Sequence, residues 1–246
     1  LAYMNFNDIN NTKKHYKLIM LVISSYDDIY NDMRKTWKNY MHKFDDVKIY
    51  FLHCKNDLET TLYVDENEST IYYKCEESLI PGIFLKSIHA MDYCQQTFNY
   101  DYLLRTNMSS LYNIPKLIDF LDNQPKTNFA GGRNEIYYNI SFISGAGMII
   151  SKDLVEKMLT TIFTENTINH VFGLPDDVLL GYIINLHIDP STYVYIPRFD
   201  IYERLTKERI ESLSNDHFHF RNRNDSDLRV LDSQNINLLA NYFYNV

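Results

Sequence analysis

The stretch "DYLLRTNMSSLYN", Asp101 to Asn113, changes character in its middle. "YDYLLRT" (100–106) is an apolar run of strand length, and it passes directly into Asn107, Met108, Ser109 and Ser110. A short continuous apolar run reads as a strand buried on both faces, the pattern of a parallel sheet. An earlier run, "KLIMLVISS" (17–25), has the same form and also ends in polar residues, Ser24 and Ser25. Two such strands with helical segments between them predict an α/β fold.

Outward from these strands the alternation continues. "YDDIYNDMRKTWKNYM" (26–41) carries acids early and Arg34, Lys35 and Lys38 later, the order that suits a helix macrodipole. "VKIYFLH" (47–53) and "STIYYKCEE" (69–77) read as strands. "PGIFLKSIHAMDYCQQTF" (81–98) and "IPKLIDFLDN" (114–123) read as helices with Pro near their starts. "KTNFAGG" and "EIYYNISFISGAGMIIS" (126–151) read as strands with turns, then "SKDLVEKMLTTIF" as a helix capped by Ser151. "LPDDVLLGYIINL" (174–186) is a further helix, and "STYVYIP" and "DHFHFRN" are late strands. A terminal helix follows, with Ser226 as its cap. The expected architecture is an α/β/α sandwich around a mostly parallel central sheet. Residues 1–16 are expected to be a flexible segment and 17–246 a single domain.

Composition bounds the function. The 246 residues are 45% hydrophobic, enough for one sizeable core. The net charge of −8 argues against a nucleic-acid partner. No apolar run approaches the ~18 residues of a membrane span. Cys54, Cys75 and Cys94 lie far apart with no CxxC pair, which argues against zinc and favours three buried thiols over one disulfide. The chain begins at Leu1 rather than Met and reads as an excised piece, so its compartment, cytoplasmic or lumenal, stays open. Dinucleotide, P-loop, zinc-hydrolase and nucleophile-elbow motifs are absent from the sequence.

In open α/β sheets ligands bind beyond the carboxyl ends of the strands, which singles out Ser24–Ser25 and Thr106–Ser110. The order of four pieces then resembles the beta-1,3-galactosyltransferase and Fringe family of glycosyltransferases. They are "LVISSYDDIYNDMRKTW", with its Arg34 and Thr36–Trp37; "DYLLRTNMSS"; "FISGAGMIIS"; and "LPDDVLLGYII". The resemblance spans roughly residues 17–185 and implies a GT-A fold. It implies transfer of a sugar from a nucleoside diphosphate, UDP above all, to a glycan or glycoprotein hydroxyl with inversion. Such attack needs a carboxylate base, and the resemblance assigns Asp177, with Asp176 beside it. Helix capping is the rival reading of Pro175-Asp176-Asp177.

The family places metal-facing aspartates where this chain has Asn107 and Ser109. Neutral oxygens hold a hard cation poorly, so Mn²⁺ or Mg²⁺ dependence is left open. A metal-free site needs other cations against the diphosphate. In "DHFHFRNRND" (216–225) strand alternation puts His217, His219, Arg221 and Arg223 on one face. His217 and His219, with Asn107 and Ser109, are the weak metal candidates. The expected donor contacts are Ser24, Ser25, Arg34, Lys86, Arg105, Asn107, Ser109, Ser110, His219, Arg221 and Arg223. Gly145, Ala146 and Gly147 are expected to give backbone approach to the sugar. The alternative is a GT-A-like domain that binds nucleotide sugar or glycan without turnover. A nucleotidyltransferase is disfavoured, since it wants paired carboxylates at a strand end.

Overall fold

The computed structural model describes residues 13–164, 173–224 and 229–246. Most of the 1–16 segment, and the Ser226 cap, lie outside the described residues.

The first strand, β1 (His15–Ile23), begins two residues ahead of its expected start. It pairs in parallel with both β2 (Val47–Cys54) and β5 (Asn99–Asn107). With β3 (Leu62–Asp65), β4 (Thr70–Tyr73), β7 (Ala130–Gly132), β10 (Gly147–Ser151) and β11 (Val194–Tyr195), they form an eight-stranded sheet ordered β11-β7-β10-β5-β1-β2-β4-β3. The sheet is mostly parallel; β10 and the edge strand β3 run against their neighbours.

Both faces are covered, as the apolar runs require. Leu18, Met20 and Val22 of β1 enter one core, and the alternate residues Ile19 and Leu21 enter the other. The first core is closed by α1 (Asp28–Tyr40), α3 (Ile114–Asp122), α6 (Lys207–Ser214) and α7 (Arg229–Tyr244). The second is closed by α2 (Gly82–Thr97), α4 (Lys152–Thr164) and α5 (Asp176–Asn185). The expected α/β/α sandwich is therefore the fold of the chain. Trp37, fully buried on α1, donates its Nε1–H to the Met108 carbonyl at 3.3 Å, so the helix pins the β5 exit.

A second, three-stranded sheet, ordered β12-β13-β6, joins β12 (Arg198–Ile201), β13 (His219–Asn222) and β6 (Ser110–Tyr112). The "EIYYNIS" segment is a hairpin, β8 (Asn134–Tyr137) with β9 (Ile140–Ile143), packed against α5. β3, β6, β12 and α6 have no counterpart in the sequence reading. The Ser151 hydroxyl takes the Phe129 amide and donates to Asp153, so it ties strand to helix.

The cysteine expectation is corrected. Cys54 and Cys75 form a disulfide, and Cys94 alone is a buried thiol. The cause is register: β2 and β4 run in parallel with Cys54 opposite Tyr73, so Cys75, just past the strand, arrives with a Cα–Cα distance of 5.1 Å. No helix among the described residues is long and apolar enough to cross a membrane.

Candidate functional site

A cleft of about 580 Å³ opens at the carboxyl ends of β1 and β5, a volume that suits a small organic ligand. Its walls come from six places. The β1 exit gives Ser24 and Ser25, and the start of α1 gives Asp27 and Tyr30. The segment into α2 gives Glu77, Ser78, Leu79, Ile83 and Lys86. The β5 exit gives Asn107, Met108 and Ser109. The β13 exit and the start of α7 give Arg221, Asn222, Arg223, Asn224 and Arg229. Four cations against two carboxylates make this a positive cleft in a chain of net charge −8.

Each cation has a different degree of freedom. Lys86 is 1% exposed; its Nζ donates to the Ser24 carbonyl at 2.9 Å and pairs with Glu77. Burial pushes its pKa down, and Glu77 opposes that shift. Arg223 contacts Asp200 at 3.3 Å, and Arg229 lies over the Tyr30 ring. Arg221 is half-buried and has neither hydrogen bond nor ion pair among the described residues, and its Nε is wholly enclosed. Burial, then the Arg198 and Arg223 charges, push Arg221 down to about 10, so it stays a cation at neutral pH.

The strand exits are rigidly built. Arg34 does not line the cleft. It donates to Ser24 Oγ and the Ser25 carbonyl, each at 2.8 Å, and contacts His53 Nε2 at 3.1 Å. Arg can only donate, so His53 Nε2 accepts and the ring is neutral. Burial, with Arg34 second, pushes His53 down to about 3. On β5, Met108 N–H donates to the Ile23 carbonyl at 3.2 Å, and the Asn222 N–H to the Ser109 carbonyl at 2.9 Å.

Asn107 Oδ1 accepts from Ser109 Oγ at 3.0 Å and Ser110 Oγ at 3.1 Å. His219 is not a donor contact in the cleft. It is buried, stacked on Tyr112 with 4.3 Å between centroids, and its Nε2 is 3.1 Å from Ser110 Oγ. Burial, then the nearby Arg198, hold its pKa well below the usual histidine value. His217 precedes the strand, contacts the Leu213 carbonyl and meets Phe199 edge-on, so the expected four-residue basic face is reduced to Arg221 and Arg223 in the cleft.

A divalent cation at the β5 exit is tested by these donors, and they do not fit it. The Asn107 oxygen is engaged by two hydroxyls, His219 Nε2 is engaged by Ser110, and the position carries no carboxylate. Among the described residues no group of three or more His, Cys, Asp or Glu side chains converges to hold a metal.

Four further residues act behind the cleft rather than in it. Arg105, 5% exposed, donates to the Gly145 carbonyl and pairs with Asp176. Gly145 has no room for a side chain: a Cβ there would lie 2.1 Å from Arg105 Nη1. At Gly147 a Cβ would lie 2.4 Å from His219 Cε1. Ala146 gives its carbonyl to Thr106 Oγ1 at 2.6 Å, Tyr112 OH at 3.0 Å and Ser110 Oγ at 3.3 Å. The close approach these glycines permit is thus to protein side chains.

Asp176 and Asp177 open α5, outside the cleft. Burial pushes the Asp176 carboxyl up, against the Arg105 charge beside it. Asp177 Oδ2 accepts the Gly145 amide at 2.9 Å and Oδ1 contacts its neighbour's Val178 amide at 3.1 Å. The sequence reading omitted Tyr30, Glu77, Asn222, Asn224 and Arg229 from the cleft. A charged residue just after a strand or at a helix start was the available signal for Glu77 and Arg229.

Comparison with known proteins gives a family. Residues 24–220 match the model of a family described as Fringe-like. Among solved structures, the chain is similar to the galactosyltransferase LgtC in complex with donor and acceptor sugar analogs, with 11% identity over 93% of this chain and 96% of that one, at a TM-score of 0.49. It is similar to the glycosyltransferase GlyE of Streptococcus pneumoniae TIGR4, with 9% identity over 94% of this chain and 63% of that one, TM-score 0.47. A glycosyltransferase involved in glycosylation of the major capsid of PBCV-1 is similar at 10% identity, over 88% and 98% of the two chains, TM-score 0.43. No curated protein matches the chain.

Proposed function

The chain belongs to the Fringe-like family of glycosyltransferases, and from that premise we propose that it transfers a sugar from a nucleoside-diphosphate donor, UDP-linked above all, to a hydroxyl of a glycan or glycoprotein. The observation that carries this reading is the positive cleft at the ends of β1 and β5, with Lys86, Arg221 and Arg223 in its walls. A diphosphate leaving group gains negative charge as its bond to the sugar breaks, and fixed cations stabilise that charge. Arg221 is the best placed for this role, because its side chain makes no hydrogen bond or ion pair among the described residues and Asp200 acts on it only at longer range.

The reaction needs one proton removed. The acceptor oxygen attacks the anomeric carbon, its proton passes to a carboxylate, and the carbon–oxygen bond to the β-phosphate breaks, inverting the centre. Asp177 is the proposed base. Support comes from its place at the start of α5, where its carboxylate is oriented by the Gly145 amide. Asp176 is the proposed positioning partner, because its carboxylate is spent on Arg105. Ser24, Ser25 and Ser109 are proposed to meet the nucleotide, and Arg34 to hold the β1 exit in shape.

A second reading, binding without turnover, is favoured by one feature, the neutral Asn107 and Ser109 at the β5 exit. The test is a panel of UDP-, GDP- and dTDP-sugars with saccharide acceptors, followed by release of free nucleotide. Acceptor-dependent release, slowed about 10²- to 10⁴-fold in Asp177→Asn with nucleotide binding unchanged, supports the enzyme and its base. Full turnover by Asp177→Asn removes the base. Binding with no release from any sugar supports the second reading.

A further inference from the structure

We propose that the cleft holds the donor diphosphate directly on side-chain N–H groups, with no bridging metal, because the β5 exit presents a hydrogen-bond donor where an acidic metal motif would present acceptors. This rests on the nucleotide-sugar reading above.

The polarity follows from proton counting. The Ser110 hydroxyl has one proton and three polar neighbours: Asn107 Oδ1, the Ala146 carbonyl and His219 Nε2. Ser110 gives its one proton to Asn107 Oδ1, at 3.1 Å the nearer of the two carbonyl oxygens, and His219 then meets the hydroxyl oxygen with an Nε2–H. Ser109 gives its hydroxyl proton to the same Asn107 oxygen. With both hydroxyls directed at it, the Asn107 oxygen is turned to the protein. The Asn107 Nδ2 hydrogens have no protein partner among the described residues, on a side chain that lines the cleft. An N–H group turned to a cleft is free to meet a ligand acceptor.

Arg221 completes the array. It is the register partner of Ser110 in the β13–β6 pair, so its guanidinium stands beside the Asn107 network. Its Nε has no hydrogen-bond partner, and its planar fork matches phosphate oxygens. Lys86 closes the opposite wall, with two of its three N–H groups given to Ser24 and Glu77. Asn107, Arg221 and Lys86 thus face one cleft from three elements, all as donors.

The test is calorimetric titration of the whole chain with inorganic pyrophosphate and with UDP, in EDTA and in Mn²⁺. Both probes should bind in EDTA within about threefold of their affinity in Mn²⁺. Arg221→Met should weaken both by about 10- to 100-fold, the size of one charge-assisted hydrogen bond. Arg221→Lys should recover part of that loss, and equal melting temperatures exclude misfolding. The double variant Asn107→Asp with Ser109→Asp should lose affinity by more than tenfold in EDTA and regain it with Mn²⁺. The proposal is overturned if wild-type binding of both probes vanishes in EDTA, if neither probe binds in any condition, or if the double variant binds as wild type in EDTA. Metal-free binding without turnover of any nucleotide sugar would sink the transferase reading and leave this one standing. Turnover that strictly needs Mn²⁺ would do the reverse.

Discussion

Replacing Arg105 with Met tests the internal electrostatics behind the site. Arg105 is 5% exposed, and the Asp176 side chain that it holds is 13% exposed. Removing the cation leaves a carboxylate in a poorly solvated place with no opposite charge beside it. Breaking a buried pair from one side costs about 3–5 kcal/mol, a large part of the ~5–15 kcal/mol that holds a domain folded. Met keeps the apolar stem's packing, so the loss reports charge rather than volume. The assay is urea denaturation followed by the fluorescence of Trp37, the single Trp, which is fully buried. Acid should shrink the deficit. Burial already pushes the Asp176 carboxyl up, and without Arg105 it rises further. A carboxyl with a raised folded pKa binds its proton more readily folded than unfolded, so its contribution improves as pH falls. The difference between variant and wild type should therefore be smaller at pH 5 than at pH 7.5. Adding Asp176→Leu removes the orphaned charge and should restore stability to within about 1–2 kcal/mol of wild type. A cost below about 1 kcal/mol for Arg105→Met, or a deficit equal at both pH values, would refute the reasoning.

Three further outcomes are expected. Gly147→Ala puts a Cβ 2.4 Å from His219 Cε1 and 2.7 Å from its Nδ1; overpacking of about 1–3 kcal/mol should appear in the melting temperature, with weakened UDP binding as His219 shifts Ser110. Stability should fall on mild acidification. His53 is held down at about 3 and His219 well below its usual value, so below pH ~6.5 the unfolded chain takes protons that the folded chain refuses. Each buried histidine contributes about 1.4 kcal/mol per pH unit in that window, and a urea midpoint flat from pH 7 to 5 would contradict this. Cys75→Ser opens a loop of sequence separation 21 and should cost about 3 kcal/mol. It should also loosen the Glu77–Leu79 wall and weaken UDP binding, whereas unchanged affinity would separate that wall from the disulfide.

The sandwich was legible because its central strands are apolar on both faces. "KLIMLVISS" needs no partner to be read: Leu18 and Ile19 enter opposite cores, as alternation demands. β3, β6 and β12 were not legible, since each is short and exists through its pairing. Ser110–Tyr112 is a strand because Leu111 meets Phe220 of β13, a contact over a long stretch of chain. The same limit governs the site. Asn107 and Ser109 are singled out by the strand exit and the family resemblance, and a cleft lies there. The roles expected for Arg105 and Gly145–Gly147 are answered by residues distant in sequence. Sequence shows that a glycine permits close approach, but the approaching groups are the Arg105 and His219 side chains. Glu77 and Arg229 reach the cleft from a disulfide-tied segment and a helix start; their charges at those points are legible locally, but the cleft they share is not.

The "SGAG" turn ties the two halves of the proposed reaction to one strand. Its Gly145 peptide is clamped on both sides, the N–H by Asp177 and the carbonyl by Arg105. Its next carbonyl, from Ala146, takes the hydroxyls of Thr106 and Tyr112, with Ser110 Oγ 3.3 Å away. Three consecutive residues of β5 therefore serve three connections: Arg105 to the start of α5, Thr106 to the turn, and Asn107 to the cleft. Successive strand residues alternate in direction, so this division of labour depends on register, and a slip of one residue would exchange the faces. It also sets how far the proposed base, Asp177, stands from the proposed diphosphate site, because the links between them run through strands and hydrogen bonds. Transfer rates depend steeply on such a separation, and misplacement of about 1 Å can cost ~10²-fold. On the proposed reading, the neutral β5 exit gives up charge and keeps its geometry: Asn107 is held by Ser109 and Ser110, and its place on the cleft suits an anion.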